Sequence, residues 1–171
     1  GRTDAGVHAT AQGIVFELPH GWEVSRLVDA MNALLPGAIR VQKARPAEPE
    51  FHPRFTATGR RYEYFVDDRP APTSPLRRRR VWQIGCPVPT EALQSLSAVL
   101  IGPGDFARLS RSGQPERGTR CTIERAAWLR TPVGDVRFEI VADRFLHHMV
   151  RNIAGVLMTV ALKQRSPHTR G

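Results

Sequence analysis

The stretch from Cys121 to Ala142 constrains the fold more than any other part of the chain. Two segments, CTIERAAWLR (Cys121–Arg130) and DVRFEIVA (Asp135–Ala142), carry the β-branched and aromatic residues of strands. Thr131–Gly134 between them is long enough only for a turn, so the two strands must run antiparallel as a hairpin. Directly behind it, DRFLHHMVRNIAGVLMTVAL (Asp143–Leu162) is the longest helical pattern, with Leu146, Met149, Val150, Ile153, Leu157 and Val160 as its apolar stripe and Asp143 as its expected cap. A hairpin followed at once by an apolar helix requires a sheet with a helix packed on it.

The remaining elements extend this scheme. QGIVFEL (Gln12–Leu18) and AIRVQKARPA (Ala38–Ala47) read as strands. FHPRFTATGRRYEYFVDD contains a third, with Tyr62, Tyr64 and Val66 on one face and Arg61, Glu63 and Phe65 on the other. EVSRLVDAMNALLPG has helical spacing through Val24, Leu27, Val28, Met31, Leu34 and Leu35 and stops at Pro36-Gly37. TEALQSLSAVLIG reads as a helix with Thr90 as N-cap. No short repeat is present, and KQRSPHTRG (Lys163–Gly171) reads as a frayed tail. The expected class is α+β: a mainly antiparallel sheet with helices on one face.

Charge limits the partners. The net charge is +9, and of 25 basic residues only Lys43 and Lys163 are lysines. A GC-rich coding sequence explains arginine in place of lysine, but not the excess of positive charge. A field of this sign favours a polyanion, and arginine suits phosphate forks and base stacking. No apolar run approaches the roughly 18 residues of a membrane helix, and no leader sequence is visible. Cys86 and Cys121 form no CxxC pair, which points to a reducing compartment, the cytoplasm, and to no metal site.

The candidate chemistry begins at the first residues, GRTDAGVHA. Asp4 lies among small neighbours that let a base, sugar or backbone approach closely. Arg2 and loop peptide N–H groups can hold its carboxylate ionised, as a nucleophile or base requires; an Asx-turn is the competing reading. No second carboxylate or spaced histidine lies nearby in sequence to make a metal site. Tyr62, behind Arg60-Arg61, is either a stacking platform for a base or a core tyrosine. Arg151 points about 130° from the centre of the apolar stripe. It is either a carboxylate partner or a solvated arginine. The Arg77–Arg80 run reads as a solvated loop, and GPGD (Gly102–Asp105) as a turn with Asp105 capping a short helix. His147 and His148, as helix neighbours, point in different directions and do not share a metal easily.

Taken in order, GRTDAGVHA, NALLPGAIRV, FHPRFTATGRRYEYFV and FLHHMVRNIAGVL resemble the TruA-type tRNA pseudouridine synthases, from residue 1 to about Leu157. The resemblance implies the pseudouridine synthase fold, two ferredoxin-like lobes. Here it implies a partial N-terminal lobe over 1–68, a Pro/Arg-rich connection over 69–89, a C-terminal lobe over 90–162 and the tail. It further implies isomerisation of uridine to pseudouridine at positions 38 to 40 of the tRNA anticodon arm, by a homodimer needing neither cofactor nor metal. Residue by residue, Asp4 matches the aspartate that attacks the target nucleoside. Arg2 matches an arginine linked to base flipping, Tyr62 the aromatic that stacks on the target base, and Arg151 the basic partner of the aspartate. Phe51, His52 and Arg54 fall in a segment matching one that touches tRNA, with Arg60 beside it. The family's His-Asp-Phe element appears as Gly104-Asp105-Phe106. The family also has a segment before the aspartate motif and a final helix and strand, so the sequence is expected to be a fragment. Two other readings stay open: a basic RNA-binding remnant without turnover, and a uridine-modifying enzyme acting on another RNA.

Overall fold

The computed structural model describes residues 3–71, 74–111 and 118–165. The chain forms two compact units, Gly1–Ala57 and Thr58–Gly171.

In the first unit the one regular element among the described residues is helix α1, Val24–Leu34. It turns Val24, Leu27, Val28 and Met31 to its half-buried side, the spacing expected of an amphipathic helix. The strands expected at 12–18 and 38–47 are absent. A strand is completed only by a hydrogen-bonded neighbour, and the polar groups of this region are used otherwise. The Asn32 side-chain amide takes both backbone groups of Val41: Nδ2 donates to its carbonyl (3.0 Å) and Oδ1 accepts from its N–H (2.8 Å). Ile14, Val15 and Phe16 remain exposed.

The second unit is built on a five-stranded sheet. Its strands are β1 (Arg60–Asp67), β2 (Trp82–Gln83), β3 (Gly102–Asp105), β4 (Arg120–Arg130) and β5 (Val136–Ala142), in the order β2-β1-β5-β4-β3. The expected hairpin is β4–β5. Its turn is closed by Gly134 N–H to the Thr131 carbonyl (2.9 Å), with Gly134 at φ 91°, a backbone glycine adopts without steric cost. GPGD is not a turn but strand β3, recruited by β4 along Gly102↔Ile123 to Asp105↔Arg120. Asp105 does reach forward as foreseen: its Oδ1 accepts from Ala107 N–H at the start of a short 3-10 turn.

A bulge in β4 between Ile123 and Arg125 resets the alternation, so Cys121 and Ile123 before it and Ala126 and Trp128 after it are all buried. They meet Val66 of β1 and Val136, Phe138 and Ile140 of β5. This face is covered by α2 (Thr90–Ala98) and α3 (Met149–Arg165). Leu93 of α2 and Met149, Ile153, Ala154, Leu157 and Met158 of α3 complete the core. The opposite face is charged. Arg125 pairs with Glu139 (2.9 Å), Arg137 with Glu63 (3.2 Å), and Arg61 stands near both acids.

Both predicted caps give way. Thr90 is the first residue inside α2, behind Pro89, and makes no capping hydrogen bond. Asp143 does not open α3, which starts six residues later. Its carboxylate instead accepts from Thr122 N–H (2.8 Å) and Arg144 N–H (2.7 Å). His148 precedes the helix in a left-handed conformation, φ 62°, and its carbonyl accepts the first helical bond from Asn152. The two histidines therefore lie outside the helix, and their rings approach to 4.1 Å instead of diverging.

Candidate active site and RNA-binding residues

Asp4 sits at the first position of a tight turn. The N–H of Val7 donates to its carbonyl (3.1 Å), and Gly6 has φ 79°, the positive value the third position of a type II turn demands. A side chain at Gly6 would meet nothing within 4 Å, so the glycine is required by conformation rather than by space. Asp4 itself is exposed. Arg2 lies outside the described residues.

The FHPRF segment folds as a compact turn. His52 Nδ1 accepts from the N–H of Arg54 (3.2 Å) and of Phe55 (3.1 Å). The imidazole stacks on Phe55, with centroids 4.3 Å apart at 28°. The Arg54 guanidinium lies over the same phenyl ring, 5.4 Å from its centroid. Phe51 and Phe55 are 40% and 54% exposed, a surface of aromatics and cations suited to bases and phosphates.

In the second unit, β1 carries Tyr62 opposite Ile140. Tyr62 is half-buried, its ring edge-on to Phe145 (5.1 Å, 88°), so it is at once a core neighbour and partly open. Arg60 donates from a guanidinium nitrogen to the Asp143 carbonyl (3.1 Å), fixing the strand's start against the segment before α3. Arg151 lies exposed in the first turn of α3. It lines a cavity of about 430 Å³ with Arg108, Leu109, Asn152, Gly155 and Val156 among its walls. Asn152 ties that wall together by donating to the Leu109 carbonyl (3.0 Å). Arg151 is exposed and shares this open depression with a second arginine, Arg108. Asp4 and the FHPRF turn belong to the first unit, Tyr62 and Arg151 to the second.

One cluster was missed by reasoning from sequence. Asp67, Asp68 and Asp135 are buried, each against arginine. Arg69 bridges Asp67 (2.8 Å) and Asp135 (3.3 Å), and Arg77 forks onto Asp135, its Nη1 donating over 3.0 Å. Arg130 forks onto Asp68 (3.0 and 2.8 Å), which also accepts from Val88 N–H. Hydrogen bonding from Arg130 holds the Asp68 carboxyl below the usual carboxylate range, against the opposing effect of burial. Arg77 is thus not part of a solvated run: it is an anchor, whereas Arg78–Arg80 are exposed. The signal available in sequence was the pair Asp67-Asp68 at the end of an apolar strand, where unpaired acids do not survive burial. Cys86 and Cys121 are both free thiols, and burial pushes the Cys121 thiol up. Among the described residues no helix is long and apolar enough to cross a membrane.

Comparison with known proteins adds a consistent result. Residues 96–169 match a family model described as tRNA pseudouridine synthase. A protein of Chlorobium luteolum named tRNA pseudouridine synthase A is 35% identical over 98% of this chain and 64% of its own length. Proteins of the same name from Neisseria meningitidis and Frankia casuarinae are 40% and 36% identical, over 94% and 98% of this chain and 60% and 61% of theirs. The chain thus spans less than two thirds of the length of these relatives.

Proposed function

Because the chain belongs to the tRNA pseudouridine synthase family, we propose that it serves the conversion of uridine to pseudouridine in tRNA, at positions 38 to 40 of the anticodon arm. The observation that carries this reading is the likeness over 98% of the chain to the Chlorobium luteolum protein named tRNA pseudouridine synthase A. Asp4 is the nucleophile: its carboxylate attacks the target nucleoside and the N-glycosidic bond breaks. The freed uracil rotates and rejoins through C5 as the bond to the Asp4 carboxylate breaks, which restores the free carboxylate. The C5 hydrogen leaves as a proton and N1 gains one, so product and substrate are isomers and no redox partner or cofactor is consumed. Such a reaction relies on covalent catalysis and electrostatic positioning. An exposed carboxylate on a glycine-closed turn gives a flipped nucleotide room to approach. Tyr62 and Arg151 take the base-stacking and basic-partner roles that the resemblance implies. The working form is a cytoplasmic homodimer whose basic surface engages the anticodon stem-loop.

A second reading, RNA binding without turnover, is favoured by one observation: no described residue of the first unit is fully buried. Tritium release from C5-tritiated uridine in unmodified tRNA separates the two. The parent chain is expected to release tritium, and Asp4→Asn to release none while keeping tRNA affinity within a few-fold. Pseudouridine formed by purified Asp4→Asn would refute the nucleophile. A folded parent that binds tRNA but releases nothing would favour the second reading.

A further inference from the structure

The turn at residues 52–55 has a feature that its chemistry does not require for RNA contact alone. Exposed turns of this kind normally leave their N–H groups to water. Here the backbone carbonyl of His52 accepts from Phe55 N–H (3.1 Å) and Thr56 N–H (2.9 Å), and one side chain adds to this: His52 Nδ1 accepts from Arg54 N–H and shares that of Phe55, while the Thr56 hydroxyl donates back to the His52 carbonyl (2.6 Å). The two bonds to Nδ1 require a lone pair on that nitrogen, and so the tautomer with its hydrogen on Nε2. The same ring supports the Phe55 phenyl from 4.3 Å. Through Nδ1, His52 thereby holds the backbone from which Arg54 and Phe55 depart, the two side chains best suited to a phosphate and a base.

We propose that His52 is a positioning residue for RNA: through Nδ1 it fixes the turn that presents Arg54 and Phe55 to single-stranded nucleotides of the tRNA. This rests on the reading that the chain binds tRNA. It departs from a direct-contact role for His52, because the nitrogen that matters faces the protein's own backbone.

The side chains of asparagine and glutamine separate the two roles. Asparagine Oδ1 occupies the position of Nδ1 and accepts the same N–H bonds, whereas the longer glutamine places its polar groups nearer the position of Nε2. The experiment measures tRNA affinity and steady-state tritium release for the parent, His52→Asn, His52→Gln and His52→Ala. His52→Asn is expected to stay within about twofold of the parent in Kd. His52→Ala and His52→Gln are expected to bind about tenfold more weakly, the loss of roughly one stacked base, with KM raised and kcat little changed. Equal weakening of His52→Asn and His52→Ala would overturn the proposal, as would parent-like binding by all three. Arg54→Ala and Phe55→Ala serve as references: if these leave binding unchanged while the parent binds tRNA, the turn is not an RNA contact and the proposal fails while the reading of tRNA binding stands. Nitrogen NMR of the free protein supplies a readout independent of RNA. An unprotonated, hydrogen-bonded Nδ1 supports the geometry, and a protonated Nδ1 overturns it.

Discussion

Replacing Ser97 by alanine tests how α2 is held on the sheet. Ser97 is wholly buried on α2. Its hydroxyl donates to the Leu93 carbonyl (2.8 Å) and accepts from the indole N–H of Trp128 on β4 (2.8 Å). Trp128 is itself buried and stacked on Phe138 at 4.6 Å. In Ser97→Ala the indole keeps its place but loses its acceptor, which costs about 1–3 kcal/mol for a buried donor. Alanine returns up to about 0.5 kcal/mol of helix propensity. The net loss is about 0.5–2.5 kcal/mol. With a urea slope of about 2 kcal/mol/M, the midpoint falls by about 0.25–1.25 M in a melt followed by far-UV circular dichroism. The reasoning is checked by repeating the change in Trp128→Phe, where no N–H remains to be stranded. There Ser97→Ala is expected to be nearly neutral, leaving a coupling of about 1–2 kcal/mol. An equal cost in both backgrounds would show that the hydroxyl–indole bond is not what Ser97 contributes.

Two further changes probe charge and space. The Asp68 carboxyl is depressed by Arg130, so its contribution is present above the ordinary carboxylate value and lost as pH falls toward the depressed one. Asp68→Asn is therefore expected to be less stable than the parent at neutral pH, with the gap closing below about pH 5 in urea melts across pH; a constant gap would count against the ion pair. Gly104→Ala puts a methyl 2.9 Å from Cε2 of the buried Phe106 ring. It is expected to lose about 1–2 kcal/mol, whereas Gly155→Ala, with open space and a helical backbone, gains about 0.5–1 kcal/mol. Equal thermal shifts for the two would refute the steric account.

What could be read from the sequence was what is decided locally. The β4–β5 hairpin, the alternation of Tyr62, Tyr64 and Val66, and the bodies of α1, α2 and α3 follow from side-chain period and turn chemistry. The expected strands at 12–18 and 38–47 failed because pairing is a property of two segments, and Asn32 answers Val41 instead. GPGD became a strand for the converse reason: β4 supplies a partner that its own glycines and proline give no hint of. The start of α3 was misplaced because Asp143 and Arg144 spend their hydrogen bonds on Thr122, Gly118 and Arg120, far along the chain. Asp4 was recognisable as a turn residue. The role of His52 was not readable, since its partners are backbone groups that no residue type announces.

The charged face of the sheet bears on how the chain finds its pairing. In the native register Glu63 stands directly opposite Glu139, and Arg61 and Arg137 reach these acids only diagonally. Sliding β1 by two residues along β5 would set Arg61 against Glu139 and Glu63 against Arg137, and would keep every side chain on its proper face. Surface charge by itself thus rewards the wrong alignment. The correct one is selected at the strand ends, where Arg69 can bridge Asp67 to Asp135 only when Val66 lies across from Val136. The buried ion cluster therefore rewards the native register over its two-residue neighbour. A chain without it would be slowed by a competing alignment as well as weakened in its final state.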